Sequence, residues 1–163
     1  MTFEERLAQA VGLREGDRDE EARALLVQLH AERPDDAAVN LQCAWVHDKL
    51  GLEREAIGYY EAALRHGLDD EPLHDALLGL GSTYRALGDY DAALDTLTRG
   101  VNEFPADNGL RIFHAMALYN TGHAKKACET LLTVITETSK DHAVIRYRAA
   151  ISEYAADLDR TWS

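Results

Sequence analysis

The sequence predicts an all-α fold built from consecutive pairs of short amphipathic helices. Three observations support this prediction. Ala, Leu, Glu and Arg, which favour helices, are abundant, whereas the 163 residues include only three prolines. Apolar residues recur at spacings of three and four, which is the period of one face of an α-helix. Glycines and prolines interrupt these stretches at regular intervals and so end each helix.

The composition is that of an ordinary globular domain, with 46% hydrophobic and 28% charged residues. We therefore expect a single domain over residues 1–163. No apolar run approaches the roughly 20 residues that a membrane-spanning helix needs. The N-terminus, MTFEERLAQA, is acidic and amphipathic and does not have the features of a signal sequence. These features predict a cytoplasmic protein.

The chain is acidic, with a formal net charge of −12. This charge argues against a nucleic acid or an anionic membrane as partner, because both would be repelled. The acidity is concentrated in the first half: residues 1–71 hold 17 acidic against 8 basic residues, and the remainder holds 12 against 9. The first half could therefore attract a basic partner. A solvated surface that only maintains solubility is the alternative interpretation.

The clearest helical pair lies between Leu77 and Pro105 and reads LLGLGSTYRALGDYDAALDTLTRGVNEFP. Gly88 separates its two helices, and Pro105 ends the second. Residues that share one face of the first helix are Leu77, Leu80, Gly81 and Tyr84. Those on the apolar face of the second helix are Tyr90, Ala93, Leu97, Gly100, Val101 and Phe104. This stretch is therefore a helical hairpin.

The same pattern recurs along the chain with a period close to 34 residues. The equivalent alanines are Ala22, Ala56, Ala93 and Ala127, and their spacings are 34, 37 and 34. The spacing of 37 places three extra residues near positions 68–73, where aspartates and Pro72 indicate an early helix start. We expect the following helix to be about one turn longer than its equivalents.

The order Leu-x2-Leu-Gly-x2-Tyr, then Ala-x3-Leu, then Pro resembles the tetratricopeptide repeat, with Leu77 where that family usually has Trp. The resemblance implies a right-handed α-solenoid of four helical hairpins and a C-terminal capping helix. The repeats would span residues 3–36, 37–70, 71–106 and 107–140, with the cap at about 141–159. We expect the cap to turn Ile145, Ala149 and Ile151 inward.

The resemblance also implies a concave groove, lined by the first helix of each repeat, that binds an extended or helical peptide. The residues at the matching positions, called the predicted groove below, are Leu41, Trp45, Asp48, Lys49, Leu78, Ser82, Arg85, Ile112, Met116, Tyr119 and Arg146. Family members that clamp a chaperone's terminal carboxylate use Lys, Asn and Arg at several lining positions. Leu7, Val11, Gln42, Asp75 and Phe113 occupy such positions here. We therefore do not expect a carboxylate clamp.

Aromatic and aliphatic anchors beside a few charges are typical of interaction surfaces. The predicted function is therefore a non-catalytic module that binds a basic or apolar segment of another protein. The alternative is a self-associating scaffold whose groove or capping helix forms a homodimer interface. For Trp45, groove contact, core packing and a homodimer contact all remain open. Trp162, near the C-terminus, could pack on the cap or on a neighbouring molecule.

No motif indicates catalysis, a metal or another cofactor. The seven histidines form no close pair on one helical turn. The GLGS segment at 79–82 lies inside a helix and lacks the strand and Lys of a phosphate-binding loop. Cys43 and Cys128 each lie within a predicted amphipathic helix, and we expect both to be buried small hydrophobic residues.

Overall fold

The computed structural model describes residues 1–161 and contains nine α-helices and no strand in that range. The chain divides into two compact units, Met1–Gly88 and a second that begins at Asp89. The helices of the first unit are α1 (Phe3–Glu15), α2 (Asp19–Glu32), α3 (Ala37–Lys49), α4 (Glu53–His66) and α5 (Asp70–Ala86). Those of the second are α6 (Tyr90–Glu103), α7 (Asn108–Asn120), α8 (Ala124–Thr138) and α9 (His142–Ala156). The all-α prediction is confirmed, and a single domain over residues 1–163 stays a prediction.

Acidic and hydroxyl side chains begin most of the helices. Thr2 and Glu5 form a capping box at α1, with each side chain bonded to the other residue's backbone N–H. The Asp36 carboxylate accepts from the Val39 N–H at 3.0 Å and so caps α3. Asp107 caps α7 in the same way, at 2.7 Å from the Leu110 nitrogen. These bonds satisfy backbone donors that the first helical turn leaves unpaired.

Helix α5 has the predicted extra turn. It contains 17 residues, whereas α3 and α7 contain 13 each. Asp69 precedes its first residue, and Pro72 lies in its first turn, where the missing N–H costs no hydrogen bond. The three-residue insertion read from the sequence therefore lengthens this helix at its N-terminal end.

The core of the first unit has two hydrophobic clusters that meet at α3. The first joins α1, α2 and α3 through Phe3, Ala10, Ala22, Leu26, Leu29, Val39, Cys43 and Val46. The second joins α3, α4 and α5 through Leu41, Ala44, Ala56, Tyr60, Ala63, Ala76 and Leu80. Opposite faces of α3 thus enter two clusters, which is why this helix is buried along most of its length.

In the second unit, successive helices pack from α6 to α9. Ala115, Leu118 and Ala127 form a buried cluster between α7 and α8. Gly100 of α6 lies so close to Leu110 that a Cβ placed there would be 2.7 Å from a Leu110 methyl carbon. The absence of a side chain at Gly100 therefore allows α6 and α7 to approach closely at this point.

The orientation of the capping helix differs from the prediction. Ile145 is 45% exposed and Ala149 is also exposed, whereas Ala155 is buried. Ile151 is half-buried. Since α9 packs against α8 alone among the described helices, one narrow face is covered and the flanking apolar residues are not. Trp162 lies outside the described residues.

Across residues 1–161, no helix combines the length and the apolar character required to cross a membrane.

Gly79 supplies the sharpest test of packing in the first unit. A Cβ at this position would lie 2.5 Å from the Tyr60 hydroxyl oxygen and 2.8 Å from the ring carbon that carries it. Tyr60 is only 1% exposed, so its ring has no room to move away. We predict that Gly79→Ala lowers the free energy of unfolding by about 1–3 kcal/mol through overpacking.

Gly58→Ala is the matched control, because Gly58 also lies inside a helix but a Cβ there would meet nothing within 4 Å. It should raise the stability by roughly 0.4–1 kcal/mol, since alanine has less conformational freedom in the unfolded chain. Urea unfolding of both variants checks the pair. Equal effects of the two substitutions would contradict the close approach of Gly79 and Tyr60.

Candidate functional site

The predicted groove residues are distributed over both units. Leu41, Trp45, Asp48 and Lys49 lie on α3, and Leu78, Ser82 and Arg85 lie on α5. Ile112, Met116 and Tyr119 lie on α7, and Arg146 lies on α9. A continuous groove through all eleven positions stays a prediction. The geometry within each unit indicates what its own residues are able to do.

The first unit contains an open cleft of about 460 Å³ between the start of α3 and the connection from α4 to α5. We call it the Trp45 cleft. Its lining residues are Asp36, Ala37, Ala38, Leu41, Gln42, Trp45, Gly67, Leu68, Asp69 and Pro72. Carbon-rich side chains dominate this set, and two carboxylates accompany them. The Asp36 carboxylate also caps α3, whereas the Asp69 side chain makes no cap hydrogen bond to α5.

Trp45 is half-buried at this cleft. Its indole packs against the core cluster that contains Leu41, and the Arg14 guanidinium lies 5.0 Å from the ring centroid. Arg14 is itself oriented by Gln42, whose side-chain oxygen accepts from Nε at 2.9 Å. Trp45 therefore combines partial core packing with a surface that lines the cleft, and the cation–π contact restricts its orientation.

Asp48 points toward the neighbouring helices. The Tyr60 hydroxyl donates to Oδ2 at 2.7 Å, and the Thr83 hydroxyl lies 3.0 Å from Oδ1 and 2.9 Å from Oδ2. Loss of hydration in this setting raises the pKa of Asp48 above its usual value, and the two hydroxyl bonds partly oppose that rise. Burial beside this carboxylate also raises the pKa of Tyr60. The carboxylate thus joins α3, α4 and α5, and a contact with a ligand stays a prediction.

Lys49 joins the other end of α3 to the α1–α2 connection. Its Nζ lies 2.7 Å from a carboxylate oxygen of Asp17 and 3.1 Å from one of Asp19. It also donates to the Arg14 carbonyl at 3.3 Å. The hydrogen bonds to the carboxylates of Asp17 and Asp19 raise the pKa of Lys49. Asp17 has the left-handed backbone conformation, with φ of 58°, so this ion pair lies at a tight turn.

The remaining predicted residues differ in exposure. Leu78, Ser82 and Arg85 are half-buried on α5, and Ile112 and Met116 are half-buried on α7. Tyr119 is 67% exposed at the end of α7. Arg146 is exposed on α9, with its guanidinium carbon 5.5 Å from the Tyr147 ring centroid.

The predicted groove contains only Leu41 and Trp45 of the residues that line the Trp45 cleft. Leu68 and Asp69 line the cleft from the α4–α5 connection, and Pro72 lines it from the first turn of α5. The spacing of 37 residues between Ala56 and Ala93 showed that this connection contains an insertion. The insertion was the sequence signal that this part of the chain differs from a regular repeat. Arg14 lies on α1, and its contact with Trp45 on α3 has no local sequence signal.

The two cysteines differ from each other. Cys43 is buried, as predicted, and burial raises the pKa of its thiol to about 12. Cys128 is exposed, so the prediction of a buried residue is wrong there. It follows the buried Ala127 on α8, and the 100° turn between successive helical residues rotates it out of the core. Within residues 1–161, no group of three or more His, Cys, Asp or Glu residues is arranged to hold a metal ion.

The family model described as tetratrico peptide repeat matches residues 37–158. The chain therefore belongs to the tetratricopeptide repeat family, as the repeat spacing predicted. Members of this family serve generally as modules for protein–protein interaction. No curated protein matches the chain.

Solved structures of the same fold agree with this assignment. YrrB, described as a TPR protein with an unusual peptide-binding site, is 25% identical over 95% of this chain and 77% of its own, with a TM-score of 0.74. A tetratricopeptide repeat protein from Parabacteroides merdae is 17% identical over 94% of this chain and 59% of its own, with a TM-score of 0.73. The MamA protein is 13% identical over 99% and 79%, with a TM-score of 0.74. The latter two support the fold alone.

The hydrogen bonds of Asp48 with Tyr60 and Thr83 predict the order of stability of two Asp48 variants. Asp48→Ala leaves the Tyr60 hydroxyl without its acceptor, whereas the Thr83 hydroxyl keeps the Gly79 carbonyl oxygen at 2.8 Å. The substitution should lower the free energy of unfolding by about 1–3 kcal/mol. Asp48→Asn keeps an acceptor for Tyr60 and should cost less than half as much. Urea unfolding at neutral pH measures both. A larger loss for Asn than for Ala would contradict the hydrogen bonds described here.

Because the pKa of Asp48 is raised in the folded state, the stability of the fold should depend on pH. The folded state holds the Asp48 proton more tightly than the unfolded state, so this group stabilises the fold at low pH. That contribution is lost as the pH rises from the ordinary aspartate pKa through the raised value. The stability of wild type relative to Asp48→Asn should therefore fall over the pH interval that begins at the ordinary aspartate pKa of about 4. An increase over that interval would mean that the pKa is lowered.

Thiol reactivity should separate the two cysteines. Cys128 should react with a thiol reagent such as Ellman's reagent in the native protein, because it is exposed. Cys43 should react only after unfolding, because its thiol is buried and its thiolate is scarce at neutral pH. Mass spectrometry after brief labelling checks this, with Cys128→Ser as the control. Native labelling of Cys43 would contradict its burial.

Proposed function

We propose that the protein is a non-catalytic interaction module and that the Trp45 cleft binds a segment of a partner protein. The proposed segment has a lysine or arginine beside an aliphatic or aromatic side chain. One observation supports this choice above the others: a half-buried tryptophan lies in an open cleft whose two acidic residues are Asp36 and Asp69. A cleft of this kind offers apolar contact and negative charge at one place.

The apolar part of the cleft would supply most of the affinity. Leu41, Leu68 and Pro72 surround Trp45 with carbon atoms, so a partner side chain placed there would be removed from water. Tryptophan is also a frequent hot-spot residue at interfaces. Because Arg14 and the core already restrict the indole, little side-chain entropy would be lost on binding.

The acidic part would select the partner. Asp69 precedes α5 without a cap hydrogen bond, and this leaves its carboxylate able to pair with a cation. The excess of acidic residues in positions 1–71 favours the approach of a basic segment over an acidic one. YrrB, at 25% identity, is described as having a peptide-binding site, which makes a peptide a reasonable class of ligand to test first. The cytoplasmic location stays a prediction.

Self-association is the second candidate function. It is favoured by a different observation, the exposed aromatic residues Tyr147 and Tyr154 on α9. This surface belongs to the second unit, and the Trp45 cleft belongs to the first. The two functions are therefore compatible and can be tested separately.

Peptide binding can be followed through Trp45 itself. In a Trp162→Phe background Trp45 is the only tryptophan, so its fluorescence reports on the cleft. We expect short peptides with Arg or Lys next to Leu or Tyr to change this fluorescence at micromolar concentration. Peptides that carry Glu in place of the basic residue should bind at least about tenfold more weakly, a difference of roughly 1.4 kcal/mol.

Matched charge variants locate the site. Asp69→Lys should weaken binding of the basic peptide about tenfold or more, whereas Asp95→Lys, on the exposed side of α6, should leave it unchanged. Trp45→Phe should weaken binding while keeping the fold, which circular dichroism verifies. Equal binding of the basic and acidic peptides would rule out the proposed partner chemistry, and an equal effect of the two lysine substitutions would rule out the cleft.

A further inference from the structure

The Trp45 cleft has charges of opposite sign near the two ends of its α3 wall. The carboxylate of Asp36 begins α3, and Asp69 adds a second carboxylate from the α4–α5 connection. Nine residues after Asp36, the Trp45 ring carries the Arg14 guanidinium, whose carbon lies 5.0 Å from the ring centroid. Because an α-helix rises by about 1.5 Å per residue, Asp36 and Trp45 are separated by roughly 13 Å along the helix axis.

Arg14 is fixed in position and keeps hydrogen-bond donors that the fold does not use. Gln42, a residue of the cleft lining, accepts from Arg14 Nε at 2.9 Å. Within residues 1–161, neither Nη nitrogen of Arg14 makes a hydrogen bond, and the Glu15 carboxylate lies 3.7 Å from Nη2, which is longer than a hydrogen bond. The planar fork of a guanidinium matches the two oxygens of a carboxylate. Arg14 is therefore able to bind a carboxylate that comes from outside the chain.

The second cation at this end of α3 is already neutralised. Lys49 lies one turn beyond Trp45 and forms ion pairs with Asp17 and Asp19. Of these two cations, Arg14 is thus the one whose charge remains for a ligand. Its side chain is 20% exposed, so salt would screen an ion pair formed with it less than a pair on the open surface.

We propose that the segment bound at the Trp45 cleft carries an acidic side chain that pairs with Arg14, on the opposite side of its apolar residue from its basic one. This inference rests on the proposed function, because it specifies the order of charges in the segment bound there. In an extended segment, side chains at i, i+2 and i+4 share one face, and the outer two are about 13 Å apart. The order Glu-x-Leu-x-Lys therefore places Glu beside Arg14 and Leu against Trp45. Lys then lies toward Asp36 and Asp69.

Arg14 would also discriminate among basic segments. The negative charge of residues 1–71 attracts any of them, whatever the order of their side chains. A segment with basic residues on both sides of its apolar residue would place a like charge opposite Arg14, and this repulsion would weaken its binding. Arg14 is therefore proposed as the residue that determines specificity at this end of the cleft.

Isothermal titration calorimetry of the full-length protein tests the pairing. The probes are two acetylated and amidated peptides, one with the order Glu-x-Leu-x-Lys and one with Gln in place of Glu. Wild type should bind the Glu peptide about fivefold more tightly, the upper end of what an exposed ion pair contributes. Arg14→Gln should bind both peptides with equal affinity. Arg54→Gln, which removes an exposed arginine of α4, is the control and should keep the preference for Glu.

The comparison of two peptides on one variant cancels any general loss of affinity that follows from a looser Trp45. Arg14→Glu should reverse the preference and bind Lys-x-Leu-x-Lys more tightly than Glu-x-Leu-x-Lys. If these substitutions disturb the fold, Arg14→Lys keeps the charge and should keep the preference for Glu. Equal binding of the Glu and Gln peptides to wild type would overturn the pairing and leave the cleft as a site for basic segments. A preference for Glu that persists in Arg14→Gln would also overturn it. Absence of binding by every peptide would overturn both this inference and the proposed function.

Discussion

The carboxylate of Asp48 connects three helices of the first unit. It receives the Tyr60 hydroxyl from α4 and the Thr83 hydroxyl from α5, while its own backbone belongs to α3. The Tyr60 ring lies against Gly79 where its hydroxyl reaches Asp48. A side chain at position 79 would occupy the space of the ring. A half-buried carboxylate that lost these donors would be less well satisfied, so the hydrogen bonds of Asp48 and the close approach of Tyr60 to Gly79 depend on each other. The positions of α3, α4 and α5 follow from this shared acceptor.

The Trp45 cleft depends on the same three helices. Leu41 and Trp45 come from α3, Leu68 follows α4, and Pro72 lies in the first turn of α5. At its opposite end, α3 is held by the ion pairs of Lys49 with Asp17 and Asp19. Polar contacts of α3 lie along its length, at Asp36, Gln42, Asp48 and Lys49, and the cleft opens beside the part of the helix from Ala37 to Trp45. A binding surface on such a helix keeps its shape without a ligand, which reduces the cost of association.

The sequence predicted the helices well because their signals are local. Periodic apolar residues, aspartate caps and glycines between helices all act within a few positions, and even the longer α5 followed from a change in repeat spacing. Side-chain direction was harder to predict. Asp48 was assigned to the groove as a polar residue, yet its carboxylate bonds to hydroxyls 12 and 35 residues away. The contact between Arg14 and Trp45 likewise arises only when α1 and α3 pack. Ile145 and Cys128 were predicted to lie inward because both are apolar residues in amphipathic helices. The residue type does not show how wide the covered face of a helix is, and both predictions were therefore wrong.

Electrostatics distinguishes the two proposed associations. Two copies of a chain with net charge −12 repel each other at long range, so self-association requires opposite charges paired at short range and apolar contact between them. On α9, the exposed Arg146 lies beside the exposed ring of Tyr147. A basic peptide has the opposite relation to the chain, because the same negative charge attracts it before it reaches Asp69. Salt screens both long-range effects. It therefore weakens the attraction of a basic peptide and also weakens the repulsion between two copies of the chain. The acidic composition thus favours a basic ligand at the cleft, and it permits self-association only where charges of both signs alternate.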